Sequence, residues 1–189
     1  FRTFDPLDDA HRDLTRRSFE RWTERGAGNW VGWSMPWAAM LWARTDHASA
    51  AVSVLRVWAD VFTNLGGGSL HNADSPGYTN WNHGPFSDGP VPPRENDQMQ
   101  MDAAMGFLQA VAEILVQQRG DTLHVLPSLP KQWRDLAFDG VLAEGAFLVG
   151  ATLRAGRVTE IRIHSRAGSP LRLARPRPGE WRTGDAPLR

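Results

Sequence analysis

Apolar side chains recur every three or four positions through the first part of the chain and every second position through the last part. The first spacing lines one side of a helix, the second one face of a strand. Asp5-Pro6-Leu7 reads as a helix start, with an acidic cap and a first-turn proline. From Asp8 to Arg25, Leu14, Phe19 and Trp22 form one apolar stripe among charges, and Gly26 ends the helix. A second helix, Met35 to Arg44, is apolar on most sides, with Ser34 as cap and Pro36 in its first turn. A third runs from His47 to about Asn64, capped by Asp46 and stopped by Gly66-Gly67-Gly68. Its inward residues are Val54, Leu55, Trp58, Val61 and Phe62. A fourth, Ala103 to Gln118, turns Met105, Leu108, Val111, Ala112 and Leu115 inward before Gly120.

Residues 66 to 98 follow neither period. They carry Tyr78, Trp81, Phe86, His71 and His83, too many adhesive groups for a free linker. An ordered loop lying over a helical scaffold is expected. Beyond it, alternation predicts strands at Thr122–Leu126, Gly140–Ala143, Ala146–Leu153, Val158–His164 and Leu171–Leu173, with a tight turn at Ala155-Gly156-Arg157. The expected fold class is α+β in two parts. Helices of the kind that pair into an α/α toroid occupy 1–119, and a C-terminal antiparallel β-sandwich-like domain occupies 120–175. A loose tail rich in proline and arginine fills 176–189.

Composition narrows the function classes. Lys plus Arg and Asp plus Glu are 21 each, so no charge excess points to nucleic acid or an anionic membrane as partner. No apolar run approaches the roughly 20 residues of a membrane span. Cysteine is absent, which excludes disulfides and thiolate metal sites. The chain opens on Phe1 without a basic-then-apolar leader, and so reads as a piece of a longer polypeptide. Nine tryptophans stand against one tyrosine, and tryptophan serves both cores and sugar stacking.

Candidate chemistry centres on Asp102, a carboxylate at the start of an otherwise apolar helix. Two readings stand: a helix cap, or a catalytic group held ionised by the helix N-terminus. Gln100, two residues earlier in extended chain, falls on the same side. It suits a sugar hydroxyl or a hydrogen bond within the loop. On the loop, Trp81, Asn82 and His83, with His71, form a polar-aromatic cluster that fits a sugar subsite or the loop's own internal bonding. Trp33 could face a pocket, whereas Trp37 and Trp42 read as core. Glu95 and Asp97 read as solvated loop charges. His71 and His83 lack zinc-motif spacing, so no metal is expected, and nothing implies a cofactor.

Four stretches in order resemble glycoside hydrolase family 95, the inverting α-L-fucosidases. Gly32-Trp33-Ser34-Met35-Pro36-Trp37 with Leu41-Trp42-Ala43-Arg44 is similar to the family's GWS-x-AW…LWARL. Gln100-Met101-Asp102-Ala103-Ala104-Met105-Gly106 resembles its QIDGNFG, with Ala103-Ala104 in place of Gly-Asn and Met105 in place of Phe. His124-Val125-Leu126-Pro127-Ser128-Leu129-Pro130 and Gly140-Val141-Leu142-Ala143-Glu144-Gly145-Ala146-Phe147 complete the set. The resemblance implies the last helices of an (α/α)6 barrel followed by the family's β domain. It implies that Asp102 polarises asparagines that activate water, while a glutamate from an earlier segment is the general acid. The implied partners are an oligosaccharide or glycan substrate and the remainder of the parent polypeptide. A fragment lacking the acid is expected to be inactive alone. A non-catalytic carbohydrate-binding or scaffold piece is the alternative.

Overall fold

Asp8 opens the first helix: its side chain accepts a 2.9 Å hydrogen bond from the Ala10 N–H, satisfying a donor the helix cannot. The computed structural model describes residues 8–28, 30–72 and 99–174. The expected cap at Asp5 and the tail from 176 lie outside them. The chain divides into two units, with the boundary in sequence between Val111 and Ala112.

In the first unit, α1 spans Asp9–Glu24 and ends at Gly26, whose φ of 70° is a conformation that costs glycine least. The expected stripe is only partly inward. Leu14 is exposed while Phe19 and Trp22 are half-buried. Charge supports the outer face, where Arg16 pairs with Asp13 at 2.7 Å and Glu20 at 2.8 Å.

Helices α2 (Ser34–Arg44) and α3 (Ala48–Val61) pack against each other. Neither expected cap forms. Ser34 is already helical and its hydroxyl accepts backward from the Val31 N–H at 3.2 Å. Asp46 takes a left-handed φ of 63° in the corner between the helices, a conformation Asp tolerates, and His47 holds the cap position. Helix α3 stops at Val61, short of Asn64. Asn64 instead organises the glycine turn, its side-chain oxygen accepting from the N–H groups of Gly66 and Gly68.

Helix α4 spans Met101–Leu115, two residues earlier at its start and three at its end than periodicity suggests. Its buried side matches the expected one at Leu115, with Val111 and Ala112 half-buried, but differs over the first turns. Ala103, Gly106, Ala110 and Ile114 are buried, whereas Met101, Met105 and Leu108 are exposed. Both sides of this helix are apolar, so spacing alone could not choose between them. Contact with Trp33 and Pro36 chose. The first unit's core gathers Met35, Trp58, Phe62 and Ala103, flanked by Trp30, Trp33 and Phe107.

In the second unit, residues expected to prolong α4 form a strand. Hairpin strands β1 (Val116–Arg119) and β2 (Thr122–Val125) pair antiparallel, with Gly120 at φ 57° in a two-residue loop. Strands β3 (Leu136–Ala143), β4 (Phe147–Arg154) and β5 (Arg157–Ser165) form a second antiparallel sheet in that order. Leu136, Phe138 and Val141 of β3 pair with Leu153, Ala151 and Val149 of β4, so one face is apolar throughout. The Asp139-Gly140 pair sits at a register shift, which breaks the alternation and hides the first half of β3 from the sequence pattern. The expected strand at Leu171–Leu173 is reduced to one parallel bridge, Leu123 to Leu173. A helical part followed by antiparallel sheet is therefore the architecture.

Candidate active site

Asp102 occupies the second position of α4, within its first turn. Gln100 holds the cap position, and its carbonyl accepts from the N–H groups of Ala103 at 3.1 Å and Ala104 at 3.4 Å. The Asp102 carboxylate is exposed to solvent and accepts from the adjacent Ala103 N–H at 3.0 Å. Among the described residues no other side chain holds it. A negative charge in this turn is stabilised by the helix N-terminus by about 0.3–1 kcal/mol.

Three further connections place this turn. The Gln100 N–H donates to the Ser69 carbonyl at 3.0 Å, and the hydroxyl of buried Ser69 donates to the Gln100 carbonyl at 2.7 Å. The Gln100 side-chain oxygen accepts from the Trp33 N–H at 2.6 Å. The Trp33 N–H belongs to the entrance of α2, where helical donors lack partners within the helix.

Glycine makes the two entrances compatible. A Cβ on Gly32 would fall on the Leu70 carbonyl oxygen, well inside contact distance, and 2.8 Å from the Gln100 side-chain oxygen. A Cβ on Gly106 would stand 2.7 Å from the Trp33 ring and 3.1 Å from Pro36. Trp33 therefore lies flush on α4, half-buried, with its ring stacked 6.5 Å from the exposed Trp37. Trp37, read from the sequence as core, faces outward because α2 turns its small residues Ala38, Ala39 and Ala43 inward.

His71 joins this cluster through its backbone, accepting from the Gly32 N–H at 3.0 Å, while its ring nitrogen lies 2.8 Å from the Asn72 side-chain oxygen. The structure thus brings Trp33, His71 and Gln100 around Gly32, with Asp102 on the turn that follows. Trp81, Asn82 and His83, with Glu95 and Asp97, lie outside the described residues. Sequence reasoning overlooked Ser69, which carries no motif signal. It also treated Gly32 and Gly106 only as motif letters, although glycine is the residue that permits close approach of backbone.

A cleft of about 800 Å³ lies elsewhere in the same unit. Phe19, Trp42 and His47 line it with Arg12, Glu20 and Asp46, and none of the candidate residues does. The candidate residues Trp33, His71 and Gln100 are instead interlocked around Gly32, beside the Asp102 turn. The cleft is mainly one flank of α1 against the α2–α3 corner.

Residues 117–187 match the sequence model of the glycoside hydrolase family 95 C-terminal domain. Over 137 residues, 71% of the chain, the sequence is 31% identical to a protein of Arabidopsis thaliana named alpha-L-fucosidase 2. The chain carries the C-terminal domain of glycoside hydrolase family 95. It spans 14% of the length of the Arabidopsis fucosidase. The stretch matched to the family 95 domain covers the hairpin and the three-stranded sheet, and the candidate residues all precede it.

Proposed function

We propose that this chain is the C-terminal portion of a family 95 glycoside hydrolase that removes terminal α-L-fucosyl, or closely related, residues from glycans with inversion. The helices of the first unit form one wall of an (α/α)6 toroid. Asp102 lies on the base side of the anomeric carbon, where it polarises the groups that activate water. Trp33 and His71, with Trp81, Asn82 and His83, surround the bound sugar, and Gln100 stands beside them at the start of the turn that bears Asp102. The general acid comes from another segment of the full-length polypeptide, so these 189 residues by themselves are inactive.

One observation carries the reading: Asp102 is exposed in the first turn of α4, and among the described residues only a neighbouring N–H bonds its carboxylate. A carboxylate bonded fully to its own helix would have little acceptor capacity left for chemistry. Inversion requires base and acid on opposite faces of the sugar, roughly 6.5–9.5 Å apart with room for water. A charge standing clear of its helix suits that separation.

The test is hydrolysis of an aryl α-L-fucoside by the full-length polypeptide and by its Asp102→Asn variant. The expected result is a fall in kcat of about 100-fold or more, within the range general acid–base groups contribute. Near-normal turnover in a folded variant removes Asp102 from the mechanism. Polarimetry or NMR of the first-formed anomer checks inversion.

A further inference from the structure

We infer that Gln100 is the positioning residue for Asp102, acting through its side-chain oxygen on the Trp33 main chain rather than through a contact of its own with the sugar. The inference rests on the catalytic reading of Asp102 and deepens it.

Asp102 has one hydrogen bond among the described residues, and it goes to the next residue in the chain. Among the described residues its side chain is therefore placed by the first turn of α4. That first turn is placed by Gln100. Its N–H and carbonyl are both taken by Ser69, at 3.0 and 2.7 Å, and its side-chain oxygen by the Trp33 N–H at 2.6 Å. Three bonds to two separate segments hold one residue in place. An N–H partner also settles the orientation of the amide, because only the oxygen can accept. The remaining side-chain capacity of Gln100 is donor-only.

Removing the acceptor should let the turn shift without dissolving the helix. Displacement of about 1 Å in a reacting group costs up to about 100-fold in rate. Gln100→Met keeps length and removes the acceptor. Gln100→Glu keeps an acceptor for the Trp33 N–H and removes the donors. The two variants separate a positioning role from a sugar contact.

The experiment measures kcat and KM of the full-length polypeptide on the aryl α-L-fucoside, each variant at its own pH optimum. Gln100→Met is expected to lower kcat by about 10- to 100-fold, and Gln100→Glu to restore kcat to within about threefold of the unsubstituted enzyme. Equal losses in both variants, or a rise in KM at constant kcat, overturn the inference in favour of a direct sugar contact. Should Gln100→Met fail to fold, Ser69→Ala removes the hydroxyl donor to the Gln100 carbonyl, and Ser69→Thr restores it. The expected pattern is then a lowered kcat in Ser69→Ala that recovers in Ser69→Thr, and an unchanged kcat in Ser69→Ala sinks the idea. Asp102→Asn in the same assay separates the two failures. If it is active, the catalytic reading has failed. If it is dead while Gln100→Met is fully active, only the positioning role has failed.

Discussion

The side-chain oxygen of Gln100 accepts a 2.6 Å hydrogen bond from the main-chain N–H of Trp33, 67 residues earlier in the chain. It joins the entrances of two helices that carry two of the family-like stretches. The bond satisfies a donor at the entrance of α2 that the helix itself cannot pair.

Gly32 leaves no room for a side chain, because its Cα faces the Leu70 carbonyl. That obstacle is backbone and cannot swing aside. Gly32→Ala is expected to destabilise the protein by about 3 kcal/mol, the upper range for overpacking. Chemical denaturation checks it, and a loss below about 1 kcal/mol would show that the segment slides.

Gly106→Ala sets two effects against each other. Alanine gains about 1 kcal/mol of helix propensity, while its methyl meets the Trp33 ring at 2.7 Å. A net loss of about 1–2 kcal/mol is expected, since packed interiors yield little. Trp33→Leu in the same chain should relieve it. A double-mutant cycle measures this, and additive losses would contradict the contact.

Asp102→Asn should leave the fold nearly intact. The lost charge at the α4 N-terminus costs under about 1 kcal/mol, whatever becomes of activity. A large fall in melting temperature would mean that the carboxylate holds structure together.

Ala155 and Gly156 both lie at positive φ, 48° and 78°, in the two-residue turn between β4 and β5. A left-handed alanine costs roughly 1–2 kcal/mol. Ala155→Gly recovers part of this and loses part to the freer unfolded chain. A net gain of about 0.5 kcal/mol is expected on denaturation, and a loss would count against the turn geometry.

Acid should weaken α1. The Arg16 guanidinium, hydrogen-bonded to Asp13, and the nearby Arg17 charge hold the Asp13 carboxyl below its ordinary value. A carboxyl lowered in the folded state stabilises above its unfolded pKa and loses that contribution as pH falls through the folded one. The loss therefore falls below the usual carboxylate range, at about pH 4 and under. Both partners are exposed, so the effect is small and screened by salt. Helical circular dichroism of a peptide covering residues 8–26, titrated from pH 7 to about 2, should fall more for the native sequence than for Asp13→Asn.

Much of this was legible from order and spacing. Gly26 ends α1 and Ala155-Gly156 turns β4 into β5, because such positions need backbone angles that few residues reach cheaply. The alternating β4 and β5 appear within one residue of where the pattern puts them. The end of α4 was less legible, because Val116 and Gln117 continue a helical spacing. Pairing of Val116 with Val125 overrides that local preference. For the site, Asp102 and Gln100 were named from residue type and place, but the partner of Gln100 was not. Nothing local to Trp33 announces a bond to a residue 67 positions away.

Sequence by itself determined the change from helical to alternating period, the turn glycines and the family-like stretches, because these depend on neighbours along the chain. Tertiary structure alone decided which apolar side of α4 is buried, which glycines are irreplaceable and what holds the turn bearing Asp102. Those outcomes depend on contacts between segments distant in sequence, Trp33 on Gly106 and Ser69 on Gln100. A helix that is greasy on both sides carries no record of which side its neighbour will meet.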